Sequence, residues 1–146
     1  MVLEAAVGYG VLLIVALLLL KGSRTVAAAQ QWTVRQAMTD AYLTKESALG
    51  TRWPFDDFKL NGSPWPTYPS IDEETVTVGR MPGGLPVTAT VRRTKFPADD
   101  NLASAGGAGS ELTNPAQTEA WKLQSLLLFK VGDRDYIKSR TVLRVR

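Results

Sequence analysis

Glu4-Ala5-Ala6-Val7-Gly8-Tyr9-Gly10-Val11-Leu12-Leu13-Ile14-Val15-Ala16-Leu17-Leu18-Leu19-Leu20 decides how this chain is read. After Glu4 it carries no charge until Lys21, and with Met1 to Leu3 it is about the length that spans a bilayer as a helix. The carboxylate is the informative residue. An acidic side chain near a bilayer core costs roughly 2.5–3.5 kcal/mol on insertion scales, and such a group usually has a partner. The identity of that partner is the first functional question.

Three readings of the run compete. A cleaved secretory signal requires a basic segment ahead of the apolar one, and only the amino terminus precedes it here. Ala27-Ala28-Ala29 resembles a cleavage site, but Lys21 and Arg24 intervene, so the segment is expected to be retained. A plain anchor would place Lys21, Arg24 and everything after them in the cytoplasm by the positive-inside rule. If instead a basic leader has been removed ahead of Met1, the remainder faces outward, and this third reading is preferred.

The helix is expected to continue past Leu20. Gly22 weakens it by about 1 kcal/mol, yet helix formers resume at once. Val34, Met38, Ala41, Tyr42, Ala48 and Leu49 fall mostly on one face, and Arg35, Gln36, Asp40, Thr44 and Glu46 fill much of the rest. Gly50 followed by Trp53-Pro54 marks the end. The sum is a helix of about fifty residues, roughly 75 Å long.

Beyond it, Thr51 to Glu73 reads as a proline-studded loop anchored by its own aromatics, with a binding groove as the lesser alternative. Asn61-Gly62-Ser63 matches a glycosylation sequon. Four strands follow by alternation: Glu74 to Met81 and Leu85 to Lys95 around Pro82-Gly83-Gly84, then Ala120 to Val131 and Tyr136 to Val145 around Gly132-Asp133-Arg134-Asp135. Two hairpins make a four-stranded antiparallel sheet with one face free to receive the amphipathic helix, an α+β fold. Residues 1–24 form the apolar segment and 25–146 a head made of helix 25–50, loop 51–73 and hairpins 74–146. The linker from Phe96 to Thr118, with Ala103 to Ser110 all small, is expected to be a mobile surface loop.

The chain has 146 residues, a net charge of +3, no cysteine and no histidine. Thiol chemistry is excluded, and the commonest general base and metal ligand are missing. No nucleotide-binding, redox or zinc-protease motif occurs, so neither catalysis nor a cofactor is expected. Asp99, Asp100 and Asn101 supply oxygen ligands suited to calcium, but adjacent acids in a polar loop are common and no metal site is assigned. The basic run Lys138, Arg140, Arg144 and Arg146 reads as a solvated strand face in preference to a nucleic-acid patch.

The start Met1-Val2-Leu3-Glu4, the apolar helix, its amphipathic continuation and the sheet together resemble the type IV pilin superfamily of pilins, pseudopilins and Tad-type relatives. The resemblance implies an inner-membrane precursor pool, a prepilin peptidase, an assembly machinery, and an extracellular homopolymeric filament on the cell surface. It gives Glu4 the role of pairing with the Met1 amine, normally methylated, of a neighbouring copy. Val11, Leu12, Leu13, Ile14, Leu17, Leu18 and Leu20 would pack in the filament core. The acid stands at position four, one short of the usual place, which rotates it by about 100°. The family's proline near residue 22 and its cysteine pair are missing. A pseudopilin of a secretion machine and a non-polymerising membrane-anchored binding module are the alternatives.

Overall fold

In the computed structural model, the backbone of residues 2–60 and 62–146 and the side chains of residues 4–60 and 62–146 are described. Met1, given an assembly role above, and Asn61 of the sequon lie outside the described residues. The chain divides into two compact units, Met1–Gln36 and Ala37–Arg146. A single helix, α1 (Val2–Arg52), runs through both. After it come a short helix α2 (Phe55–Lys59) and strands β1 (Asp72–Arg80), β2 (Pro86–Pro97), β3 (Ala120–Val131) and β4 (Arg134–Val145). The fold is α+β, as expected.

The sheet is an antiparallel meander in the order β1-β2-β3-β4. Both hairpin turns use glycine where φ is positive: Gly83 and Gly84 between β1 and β2, and Gly132 at φ 61° in the two-residue β3–β4 loop. Glycine at the first loop position with positive φ suits the right-handed twist of the flanking strands. The central pair β2–β3 runs in register from Thr90↔Leu128 to Pro97↔Trp121, so the two expected hairpins fuse into one sheet.

Alternation along β2 and β3 turns Val87, Ala89, Val91, Leu123, Leu127 and Phe129 inward. Leu43 of α1 packs with Ala89, Val91, Leu127 and Phe129 in one core cluster. A second cluster joins Phe58 of α2 and Trp65 to Trp121 and Leu123, with Trp53 and Phe55 against it. The loop aromatics therefore anchor the head.

Several expectations require correction. The face of α1 turned to the sheet is Thr39, Leu43, Glu46 and Gly50, while Ala41, Ala48 and Leu49 are exposed. The reason is that Glu46 has a buried cation to meet, which hydropathy spacing does not register. The helix ends at Arg52, not at Gly50. Gly50 is instead a point of close approach, where an added Cβ would lie 3.6–3.7 Å from Val142, Leu123 and Trp65. The 51–73 stretch contains α2, and β1 starts at Asp72.

The linker before β3 is wound, not loose. The Asn101 side chain donates to the Ala120 carbonyl and accepts from its N–H, both at 2.8 Å. Asn114 similarly binds the carbonyl and N–H of Thr118. Cβ atoms added at Gly107 and Gly109 would lie 2.2 and 2.1 Å from the carbonyl oxygens of Asn101 and Asp100, so only glycine fits that winding.

Candidate functional site

Glu4 lies in the first turn of α1, where the helix dipole favours an acid. From Glu4 to Leu20, every residue is exposed on every side of the helix. Val11, Leu12, Leu13, Ile14, Leu17, Leu18 and Leu20 are all more than half exposed. Sixteen steps at 1.5 Å carry the helix about 24 Å between those ends. A helix that is apolar all round belongs in a bilayer or in a core made with other chains. By length and composition this one is sufficient to cross a membrane. The burial of each large side chain is worth about 1.5–3 kcal/mol, so covering the segment is favoured over leaving it in water.

The head unit has a different chemistry. Arg93 Nε and Nη2 donate to the two oxygens of Glu46 at 2.8 and 2.9 Å, a forked ion pair with Glu46 only 3% and Arg93 7% exposed. Arg93 Nη1 also reaches Glu74 at 2.9 Å and Asp72 at 3.3 Å, both near the surface. Tyr42 and Ser125 complete the ring around Glu46, and Trp65 Nε1 donates to Ser125 at 3.1 Å. Burial by itself would raise the Glu46 pKa, but the Arg93 hydrogen bonds and charge reverse that and hold it below the usual carboxylate range. Burial, then the neighbouring Glu46 charge, pushes the Tyr42 phenol up to about 12.

Lys95, fully buried, is two residues further along the same inward face. Its ammonium donates to the carbonyl of Phe58, to Leu60 O at 3.4 Å and to Ser63 Oγ at 3.2 Å, over the rings of Phe58 and Trp121. Burial lowers its pKa. Arg144 Nη1 donates to the carbonyls of Gly50, Thr51 and Trp53 at 2.6, 2.6 and 2.8 Å, closing the C-terminus of α1. Lys138 pairs with Asp40 at 2.8 Å, and Arg146 pairs with Asp56. Three members of the basic run therefore pair with the head's own helices; Lys138 and Arg144 are half-buried in doing so, while Arg140 and Arg146 stay exposed to solvent as expected.

None of these clusters opens as a catalytic cleft. Arg93, Glu46 and Lys95 have their donors and acceptors matched inside the head, where they join the helix and the 54–66 segment to the sheet. Among the described residues no group of three or more acids could hold a metal. Asn101, grouped above with Asp99 and Asp100, is buried and its amide is already used.

Hydropathy missed the Arg93 and Lys95 contacts, but strand parity contained the signal. Val87, Ala89 and Val91 point inward, so Arg93 and Lys95 must follow them, and a cation on the inner face demands a partner. Glu46, at one helix turn from Leu43, is the acid within reach.

No protein-family model matches the chain, and no curated protein and no solved structure is similar enough to count as a match.

Proposed function

We propose that this protein is a structural subunit of a type IV pilus-like extracellular filament, without catalysis of its own. The observation that carries the reading is the apolar, uncovered stretch of α1 from Ala5 to Leu20, on the same helix that enters a separately cored head. Lipid would cover that stretch before assembly, and copies of the chain would cover it afterwards. Glu4, in the first turn of that helix, is the acid that the proposal pairs across copies. A neighbouring copy brings an amino-terminal ammonium into the same apolar layer. The ion pair then favours one stagger of subunits, while Val11, Leu12, Leu13, Ile14, Leu17, Leu18 and Leu20 supply the adhesion.

The test is electron microscopy of material sheared from cells, with mass spectrometry of the subunit's N-terminal peptide. Thin filaments built from this chain are expected. Glu4→Ala should reduce them at least tenfold while the chain still accumulates, folded, in membranes. A chain found only in membranes, with no effect of Glu4→Ala, would favour the anchored, non-polymerising module and defeat the proposal.

A further inference from the structure

The face of the sheet turned away from α1 carries a groove of about 490 Å³ lined by Phe96, Pro97, Asp99, Lys122, Gln124 and Thr141. Strand register explains how the residues meet. Phe96 pairs with Lys122, and Gln124 with Thr141, so all four side chains share the outer face of β2, β3 and β4. Pro97 and Asp99 close one end as the chain leaves β2.

Tyr68, 60% exposed, stacks on Phe96 with ring centroids 5.1 Å apart and planes 29° from parallel. The Tyr68 N–H donates to Lys95 O at 3.0 Å, and the Lys95 N–H donates to Pro66 O at 2.8 Å. The segment before Tyr68 is thus stitched to the edge of β2, and the aromatic pair is held in place without a ligand.

The polar lining is mixed in kind. Gln124 and Thr141 both donate and accept, Lys122 only donates, and ionised Asp99 only accepts. None of these four side chains is committed to a hydrogen bond or ion pair elsewhere among the described residues. The charges of Lys122 and Asp99 cancel, so the groove selects no net charge. A size within the range of small-molecule sites, one aromatic wall and a neutral set of mixed donors and acceptors describe a particular ligand chemistry. It is a ring with an apolar C–H face and a rim of hydroxyls, each of which donates and accepts.

We propose that this groove binds a neutral sugar, with one pyranose ring laid against the Phe96–Tyr68 pair and its hydroxyls on Gln124, Thr141, Lys122 and Asp99. The site lies wholly within the head and functions whether or not the chain polymerises.

The experiment is saturation-transfer NMR on the full chain in a phosphocholine detergent, since glycoside detergents would compete. The probes are glucose, galactose, mannose and N-acetylglucosamine, with lactose and chitobiose as disaccharides, and glucose 6-phosphate and glucosamine as charged controls. Transfer to the ring protons of at least one neutral sugar is expected, with a dissociation constant on the order of 1 mM, ordinary for so small a ligand. Phe96→Ala and Gln124→Ala should each weaken it at least fivefold. Thr77→Ala, on the same sheet face at the β1 edge, should leave it unchanged. The Gln124 variant, at a half-buried position on the outer face and checked by its thermal midpoint, keeps the test valid if Phe96→Ala fails to fold. Absence of transfer from every neutral sugar at ten times that concentration would overturn the proposal. So would binding that persists unaltered in Gln124→Ala, or a preference for either charged control.

Discussion

The Glu46–Arg93 pair makes an asymmetric prediction. Removing one member of a buried ion pair costs about 3–5 kcal/mol, because the other is left charged and unmatched. The two members are not equivalent here. Without Glu46, Arg93 keeps Glu74 at 2.9 Å and Asp72 at 3.3 Å, so its charge remains compensated. Without Arg93, Glu46 keeps only the hydroxyls of Tyr42 and Ser125 and no cation, at 3% exposure. Arg93→Met should therefore cost about 4 kcal/mol and Glu46→Gln about 2 kcal/mol. At roughly 4 °C for each kcal/mol, the thermal midpoints would fall by about 16 and 8 °C. Replacing both by apolar residues should recover much of the Arg93→Met loss. The assay is urea unfolding of the full chain in micelles, followed by tryptophan fluorescence. Trp65 is a suitable reporter because its indole N–H donates to Ser125, which itself touches Glu46. A Glu46→Gln cost equal to or above that of Arg93→Met, or both below about 1 kcal/mol, would refute the reasoning.

Four further outcomes follow from the same structure. Gly109→Ala and Gly107→Ala should each cost about 2–3 kcal/mol by overpacking against the backbone carbonyls of Asp100 and Asn101, measured by urea midpoint; neutral effects would mean that the loop is loose after all. Arg144→Ala, which removes the donor to three carbonyls at the end of α1, should cost about 1.5–3 kcal/mol and raise amide exchange in the last turn of the helix. Because the folded Glu46 pKa is lowered, its contribution is fully present above the unfolded carboxylate value, about 4.3, and disappears as pH falls through the folded value. Glu46→Gln should flatten the acid limb of the stability profile. For Lys95 the sign is opposite: its lowered pKa makes the folded state release its proton first, so stability should rise with pH up to about 10.4, a slope absent in Lys95→Met.

Much of this architecture is legible in the sequence, and the boundary is physical. A charge-free apolar run, period-two alternation and glycine at the turns each act within a few residues, so the long helix and all four strands could be read from spacing alone. Local chemistry could also mark the loop aromatics as anchors, since large rings bracketed by proline seldom stay in water. Some features depend on residues far apart in the chain meeting. Spacing puts Glu46 on the polar side of the helix, because nothing near it in sequence reveals that Arg93 lies opposite, 47 positions away. Small residues alone predict a loose loop, because the carbonyls that force glycine at 107 and 109, those of Asn101 and Asp100, approach only when the linker winds back on itself. The Phe96, Lys122, Gln124 and Thr141 groove likewise exists only through strand register. The sequence by itself determined the elements and the apolar N-terminal segment, because hydropathy and turn chemistry are local. Tertiary structure alone decided which charges are buried and which polar side chains converge, because pairing is a property of the packed chain.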